Sequence, residues 1–443
     1  MNNTNERTPL VEGRIAMSTK LAYALGHIFN DLTAAMWFSY TLIYLQRVVL
    51  LQPIVAGALL LLGQVVDAVM TPVFGFVVDR YCKKKIWHVL GSVMVTLTFP
   101  VIFGGFAHSF SSLVMLLYVT SIAIFQTGWA AVQISHLSMI PSLTNSLLDR
   151  ADLTAIRYSA QVSAAVIVFM VTWIVLPTNG DSMVQLDQRD DYKFRNIVLV
   201  LTALGLTATT FFHFFLKANL LERSTISRKA GVNAPAEINS LNRWMSNEWT
   251  RITILLRVAM LYVASRLFIT LATVYLPLYI EETEVGGKQA LATVPLVSYV
   301  SSFVAALLLK YINRCCGTKI CYFLGAVIGI IAAAVTEFAK SDTTIVYIIA
   351  VLIGAGSSIT MVTALSVTAE LIGSRTERSA LVYSIVTFLD KIVTGLVVIL
   401  IERWRCDDKE FCPNYNRDTL SIVCASSMLL GLITLLSVSR CLT

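Results

Sequence analysis

The sequence predicts an all-α membrane protein with twelve transmembrane helices in two similar six-helix halves. Of its 443 residues, 56% are hydrophobic and only 14% are charged, whereas a soluble domain has about 25% charged residues. The apolar residues form about twelve stretches, each near the roughly 20 residues needed to cross a bilayer. Two short motifs also recur about half a chain apart, which indicates an internal duplication.

Short polar loops separate the predicted spans. The first-half spans are residues 18–45, 52–80, 86–107, 110–141, 151–178 and 195–219, and the second-half spans are 250–281, 288–313, 318–340, 343–371, 376–403 and 417–439. The predicted organisation is a cytosolic tail at 1–17, a bundle at 18–219, a cytosolic linker at 220–248 and a second bundle at 249–440.

The charges of the loops predict that both termini face the cytosol. Lys and Arg concentrate at Lys83–Lys85, Arg223–Arg251 and Arg314–Lys319, whereas Asp181–Asp191 and Glu281–Glu284 are acidic. Cytosolic loops carry an excess of Lys and Arg. The same rule explains the formal net charge of +7, so that charge does not indicate a nucleic-acid partner.

Two pairs of segments reveal the repeat. Asp79–Ile86 aligns with Asn313–Ile320 at an offset of 234 residues (320 − 86), and Ala155–Ser159 aligns with Ala380–Ser384 at an offset of 225 (384 − 159). Both offsets are close to half the chain. Two related six-helix halves are the arrangement of many secondary transporters.

A family resemblance begins at the loop after the second predicted span. Gly75-x-x-x-Asp79-Arg80, followed by lysines, and the weaker copy Asn313-Arg314-x-x-Gly317-x-Lys319 resemble the loop signature of the major facilitator superfamily. Asp67-x-x-x-x-Pro72-x-x-Gly75 resembles its glycoside–pentoside–hexuronide:cation symporter branch. The resemblance implies the major facilitator fold and transport by alternating access.

Further motifs resemble the lysosomal and melanosomal cysteine importers of this superfamily. They are Gly26-His27-x-x-Asn30-Asp31, Met36-Trp37-Phe38, Ile124-Phe125-Gln126, Gly128-Trp129-Ala130, Gln133-Ile134-Ser135-His136 and Phe388-Leu389-Asp390-Lys391. The similarity runs from the first span to the twelfth, with a divergent central linker. It implies that the substrate is cysteine or a related thiol amino acid, carried from the cytosol into lysosomes or lysosome-related organelles.

Charged side chains inside apolar spans are costly and are usually functional. Asp31 and Asp67 lie in the middle of the first and second spans, and Arg266 and Lys391 lie deep in the seventh and eleventh. Two acids and two bases at one depth can line a central cavity or brace the helices as ion pairs. The predicted substrate or ion path is His27, Asn30, Asp31, Asp67, Gln126, Trp129, Gln133, His136, Arg266, Tyr383, Asp390 and Lys391.

The fourth span carries a polar stripe. Gln126, Trp129, Gln133 and His136 share one helical face, which either lines a water-filled path or forms a hydrogen-bonded seam between helices. His27 lies one turn before Asp31, so these two either exchange a proton or form a structural hydrogen bond.

Charge type and depth suggest roles for a zwitterionic substrate. Asp31 or Asp67 would accept hydrogen bonds from the ammonium, and Arg266, or failing that Lys391, would bind the carboxylate. Trp129 or Tyr383 would contact the thiol. Arg157 and Glu370 lie nearer the ends of predicted spans, which favours interfacial or latch roles.

The basic loop motif predicts a conformational latch at the cytosolic helix ends, with no direct contact to substrate. Its predicted members are Gly75, Asp79, Arg80, Lys85, Arg314 and Lys319.

One position bears on ion coupling. The cation symporter branch has a further Asp directly before the proline, where this chain has Thr71. Sodium prefers several oxygen ligands, so proton coupling or facilitated movement is favoured over sodium coupling. No cofactor or metal is expected.

Two segments outside the spans carry further hypotheses. Cys406 and Cys412 lie in the last non-cytosolic loop, where they are either a loop-bracing disulfide or two free thiols. Glu6-Arg7-Thr8-Pro9-Leu10-Val11 resembles an acidic dileucine signal, which implies sorting adaptors as partners and a lysosomal membrane location.

Two alternatives remain open. One is a sugar or lysolipid cation symporter of the same branch, which Asp67 and Lys391 fit well. The other is a membrane receptor or scaffold that moves nothing, although such a protein can replace buried charges with apolar residues without loss of stability. An enzyme is not predicted, because the chain has no P-loop, nucleophile elbow or metal-ligand spacing.

Overall fold

A computed structural model describes residues 15–81, 84–105, 112–144, 147–176, 186–216, 249–284, 287–338, 342–372, 379–406 and 412–439. These residues contain twelve long helices and no strand. The helices are α1 (Met17–Ile43), α2 (Pro53–Tyr81), α3 (Lys84–Ile102), α4 (Ser112–Leu137), α5 (Leu147–Val175), α6 (Asp191–Phe215), α7 (Trp249–Thr283), α8 (Gly287–Cys316), α9 (Thr318–Phe338), α10 (Thr343–Ile372), α11 (Ser379–Arg403) and α12 (Tyr415–Ser439).

The twelve helices occupy the twelve predicted spans, so the predicted fold class is confirmed. The largest difference is at the end of α3, predicted at residue 107 and found at Ile102. Gly105 explains the earlier end, because its φ of +68° is a left-handed conformation that stops a helix. In the described residues, nine helices are long and apolar enough to cross a membrane.

Small residues allow helices to pack closely within each half. A Cβ atom added at Gly91 in α3 would lie 2.6 Å from the carbonyl oxygen of Gly128 in α4. At the matching crossing of α9 and α10, a Cβ atom at Gly356 would lie 3.3 Å from the carbonyl oxygen of Gly325. Gly325 is the repeat partner of Gly91 (325 − 91 = 234). The duplication is therefore visible in packing as well as in sequence.

The bundle has two chemically different ends. Lys84, Lys85 and Lys319 mark one, called the basic end, and Glu281 and Glu402 mark the other, called the acidic end. They correspond to the predicted cytosolic and non-cytosolic ends. The halves meet where α2 packs against α11, α5 against α8 and α1 against α7.

The outer surface of the bundle is apolar, as a bilayer requires. Phe76, Leu97, Phe338 and Leu436 are large apolar side chains that are at least 65% exposed. Exposed apolar area spread over the surface in this way marks contact with membrane or protein.

Some expectations differ from the structure or lie outside the part it describes. Pro72 and Gly75 are helix-breaking residue types, so the sequence predicts a break there, but α2 continues through both residues. Proline is tolerated in membrane helices because nearby groups satisfy the freed backbone. Thr71 Oγ1 donates to the Asp67 carbonyl at 2.8 Å. Outside the described residues or side chains lie the linker at 220–248, the Glu6–Val11 segment and the side chains of Asp79, Arg80, Arg314, Glu370 and Tyr383.

We expect Gly91→Ala to destabilise the bundle. Its new Cβ atom meets backbone of α4, which cannot move aside, and overpacking of this kind costs about 1–3 kcal/mol. Thermal unfolding of the purified protein in detergent measures the effect. Gly75→Ala is the matched control, because nothing lies within 4 Å of an added Cβ atom there. Equal melting temperatures for the two variants would show that the α3–α4 contact is not tight.

Candidate substrate site

A buried polar cluster lies near the middle of the first half. Arg157 Nη2 on α5 lies 2.9 Å from His27 Nε2 on α1. Because a guanidinium only donates hydrogen bonds, His27 Nε2 is the acceptor and His27 Nδ1 carries the proton. Nδ1 lies 2.9 Å from Asp31 Oδ1. Neutral His27 therefore lies between a cation and an anion, although its Nδ1 makes no well-directed hydrogen bond to the carboxylate.

The cluster contains buried polar atoms without partners in the described part of the chain. They are the acceptors Asn30 Oδ1 and Asp31 Oδ2 and the donors His27 Nδ1 and Arg157 Nε, and Gln133 Oε1 on α4 is a further unpaired acceptor. Leaving such an atom unsatisfied costs about 1–3 kcal/mol, and nearly all buried polar atoms in proteins are paired. Several unpaired atoms in one cluster indicate a place that a bound solute or water completes.

The polar stripe of α4 faces α1. His136 Nε2 donates to the carbonyl of Tyr23 at 2.7 Å, and Trp129 Nε1 donates to the carbonyl of Asn30 at 3.2 Å. Gln126 and His136 are buried between helices, whereas Trp129 and Gln133 are only half-buried. Gln126 and His136 therefore form a helix seam, and Trp129 and Gln133 are the stripe residues with a surface left for a solute.

Histidines that the sequence did not single out hold α1 in place. His88 Nε2 donates to the carbonyl of Gly26 at 2.7 Å, and the other ring nitrogen of His88 lies 3.1 Å from His213 Nε2. With His27 and His136, these rings form one cluster. Only the fold brings them together, because they come from four different helices.

A second charged group joins the two halves at the same depth. Lys391 Nζ on α11 lies 2.6 Å from Asp67 Oδ2 and 3.0 Å from Thr71 Oγ1 on α2. Thr71 Oγ1 also lies 3.1 Å from Asp67 Oδ1 and shares its one proton between this oxygen and the Asp67 carbonyl, so both carboxylate oxygens have partners. Lys391 Nζ also lies 6.0 Å from the centre of the Trp129 ring. Asp67 and Lys391 thus compensate each other.

The third charged group lies within the second half. Arg266 Nε donates to Asp390 Oδ2 at 3.1 Å, and Thr394 Oγ1 lies 3.3 Å from Asp390 Oδ1. The side chain of Arg266 is 31% exposed. Arg266 therefore has Asp390 as its counter-ion.

Arg157 is the member of this cluster that was not among the predicted path residues. It was expected near the end of a span beginning at residue 151, but α5 begins at Leu147. Arg157 therefore lies almost three turns into the helix. One signal was available: Arg157 lies inside the repeated Ala155–Ser159 motif.

Lys85, predicted in the latch, caps a helix in the structure. Its Nζ donates to the carbonyl of His213 at 3.1 Å and to that of Leu216, at the end of α6. Both contacts stay within the first half.

The structure has a disulfide between Cys406 and Cys412, which is one of the two alternatives left open for these residues.

Comparison with known proteins identifies the family. The family model for MFS/sugar transport proteins matches residues 22–402. Major facilitator superfamily domain-containing protein 12 of Homo sapiens is 37% identical over 423 residues, which is 90% of this chain and 87% of the relative. The Mus musculus protein of the same name is 36% identical, with coverage of 90% and 87%. A Danio rerio sodium-dependent lysophosphatidylcholine symporter 1-B is 26% identical over 35% of this chain and 30% of its own length.

Solved structures show the same fold. A mutant of the nucleoside transporter NupG superimposes with a TM-score of 0.70 at 10% identity, covering 95% of this chain and 99% of NupG. A partially occluded inward open conformation of the E. coli xylose transporter XylE gives 0.67 at 14% identity, with coverage of 96% and 97%. The chain therefore belongs to the MFS/sugar transport protein family, whose members are multi-pass membrane transporters and not enzymes.

Proposed function

We propose that this transporter carries cysteine from the cytosol into lysosomes or lysosome-related organelles by alternating access, with both termini in the cytosol. One observation supports it most: unpaired buried acceptors lie beside an arginine in the middle of the first half. A zwitterionic amino acid has an ammonium group that complements the acceptors and a carboxylate that complements the arginine. The motifs that resemble cysteine importers favour cysteine among such solutes, and the Glu6–Val11 motif favours the lysosomal membrane.

The ammonium group of the substrate matches the unpaired acceptors. An ammonium has three N–H donors, and Asn30 Oδ1, Asp31 Oδ2 and Gln133 Oε1 are three buried acceptors without a donor among the described residues. Asp31 supplies the negative charge. Asp67, the other sequence-based candidate, is a poorer acceptor because Lys391 and Thr71 already occupy both of its oxygens.

Arg157 is the better partner for the substrate carboxylate. Its Nε has no hydrogen-bond partner among the described residues, and a guanidinium binds a carboxylate through two parallel hydrogen bonds. Arg266 and Lys391, the sequence-based candidates, already have Asp390 and Asp67 as counter-ions. The half-buried ring of Trp129 offers the thiol an aromatic surface, which sulfur contacts favourably.

The surroundings of Asp67 support substrate transport that is not coupled to sodium. A hard cation needs several oxygen ligands, and here the ammonium of Lys391 takes the place of the cation at 2.6 Å. In this cluster Asp31 is the group that can take up a proton, because its Oδ2 is unpaired among the described residues, whereas Arg157 already donates to the second ring nitrogen of neutral His27.

A lysolipid symporter is the second candidate, and one cavity favours it. A cavity of about 210 Å³ between α2 and α11 borders Lys391 and has an apolar lining that includes Ala68, Pro72, Phe388 and Leu389. Such a lining suits an acyl chain. The unpaired polar atoms around Asp31 favour the smaller zwitterion.

We expect Asp31→Asn and Arg157→Gln to raise the KM for cysteine about tenfold or more in proteoliposomes. Each change removes a charge-assisted hydrogen bond worth about 1.5–3 kcal/mol, and 1.4 kcal/mol is a factor of ten. Uptake of labelled cysteine by purified, reconstituted protein measures this.

Asp149→Asn is the matched control, because it also removes a buried carboxylate of the first half. Asp149 pairs with Lys20 at 3.1 Å, at the basic end and away from the cluster, so we expect an unchanged KM. Unchanged KM values for Asp31→Asn and Arg157→Gln would refute the assigned site. If wild-type protein moved lysophosphatidylcholine but not cysteine, the second candidate would replace the first, and movement of neither would indicate a scaffold.

Ion gradients test the coupling. We expect an imposed pH gradient to accelerate or leave unchanged the uptake of cysteine into proteoliposomes, and an equal sodium gradient to have no effect, because Lys391 fills the position of a cation at Asp67. Vesicles treated with a protonophore are the control for the pH arm. Stimulation of uptake by sodium alone would contradict this interpretation of Asp67.

A further inference from the structure

Buried polar contacts connect the two halves at the acidic end. Glu402 on α11 is 2% exposed, and its carboxylate accepts from Gln46 Nε2 at 2.7 Å and from the hydroxyl of Tyr275 at 2.8 Å. Arg405 Nη1 lies 3.2 Å from Glu402 Oε2 and donates to Gln46 Oε1 at 2.7 Å. Gln46 belongs to the first half and the other three residues to the second.

Two ion pairs beside this group also cross between the halves. Arg47 Nε lies 2.5 Å from Glu281 Oε2, and Lys288 Nζ lies 2.7 Å from Asp190 Oδ2. Opening the acidic end requires all of these contacts to break. The structure therefore has this end closed.

The backbone around Gln46 departs from a regular α-helix. After α1, residues Tyr44–Val48 form a π-helical turn, and Leu50 has a φ of +59°. Single π turns occur mostly at functional sites, and a positive φ at a non-glycine residue is strained. The turn lets consecutive residues reach different helices of the second half, with Gln46 at α11 and Arg47 at α7.

These residues lie where a barrier would be needed. Gln46 follows Asp31 by 15 residues along α1 and its continuation, which is roughly 22 Å at about 1.5 Å per residue. Gln46, Arg47 and Glu281 also line a cavity of about 450 Å³ at the acidic end. Gln46 thus borders that cavity and lies on the acidic-end side of the candidate substrate site.

Arg405 is held from its other side as well. It directly precedes Cys406, which forms a disulfide with Cys412. Its guanidinium lies 5.6 Å from the centre of the Tyr415 ring, and the Tyr415 hydroxyl donates to the carbonyl of Ile401 at 2.9 Å. The disulfide therefore closes a short loop between α11 and α12 at the residue next to Arg405.

We propose that Gln46, Glu402 and Arg405 form the gate of the acidic end, and that the Cys406–Cys412 disulfide is the positioning element that keeps Arg405 in it. Without the disulfide, Arg405 has more conformations available and its contacts with Gln46 and Glu402 weaken. The closed state then loses population to the state open at the acidic end. This device does not depend on which solute is carried.

A dithiol reductant also removes the disulfide and so weakens the contacts of Arg405 with Gln46 and Glu402. Two electrons and two protons pass from the reductant to the S–S bond, which breaks to give two protein thiols while the reductant becomes a disulfide. The closure of the acidic end is thereby sensitive to redox conditions on its own side of the membrane.

Distances between spin labels in lipid nanodiscs test the proposal on the full-length chain. Labels at Gln188→Cys and Thr343→Cys, exposed acidic-end positions in opposite halves, report opening when the other free cysteines are replaced by serine. We expect one short distance with the disulfide intact. We expect Cys406→Ala/Cys412→Ala and Arg405→Gln each to raise the ratio of the long to the short distance roughly tenfold, which corresponds to about 1.4 kcal/mol.

A double-mutant cycle separates positioning from general loosening. If the disulfide acts through Arg405, the cysteine pair has no further effect in an Arg405→Gln background. Arg417→Gln is the matched control, since Arg417 pairs with Glu337 and Asp418 of its own half and should leave the distances unchanged. Melting temperatures close to wild type show that each variant is folded.

Three results would overturn the proposal. They are unchanged distances in Cys406→Ala/Cys412→Ala, additive effects of the cysteine pair and Arg405→Gln, and an equal shift in Arg417→Gln. Distances that shift as expected in a protein that takes up no cysteine would leave the gate in place and refute only the proposed function.

Discussion

The compensation of charge inside a membrane bundle governs this structure. An isolated charge in hydrocarbon is costly, and the mid-helix ions whose side chains the structure describes each lie near an opposite charge. Asp67 pairs with Lys391 across the halves, and Arg266 pairs with Asp390 within the second half. Asp31 and Arg157 differ, because neutral His27 stands between them. This separation leaves polar atoms of both residues unpaired among the described residues, unlike the two directly paired groups.

The contacts between the halves differ with depth. At mid-membrane, the contacts include the ion pair of Lys391 with Asp67, supported by Thr71. At the acidic end, several buried contacts around Glu402 act together. Alternating access requires one end to break its contacts while the other end forms them. Lys85, in the basic loop motif, donates its hydrogen bonds within its own half, so that residue does not tie the halves together at the basic end.

Hydropathy and loop charge predicted the helices well, because a helix that crosses lipid needs a fixed length of apolar residues. The depth of Asp31, Asp67, Arg266 and Lys391 followed from the same count. Their pairing did not, because it depends on which helices face each other: the structure is needed to show that Arg266 binds Asp390 and Lys391 binds Asp67. Arg157 was misplaced because the start of α5 was predicted four residues late (151 − 147). The cluster of His88 with His213 required tertiary structure.

In the proposed function, Asp31 binds the ammonium of an amino-acid substrate and Arg157 binds its carboxylate. The most direct measurement is the Kd of cysteine, cysteamine, which lacks the carboxylate, and 3-mercaptopropionate, which lacks the ammonium, for wild-type protein and Asp31→Asn in nanodiscs. Asp31→Asn should weaken cysteine and cysteamine about tenfold or more and leave 3-mercaptopropionate unchanged. Equal weakening of all three ligands, or of none, would contradict the assignment.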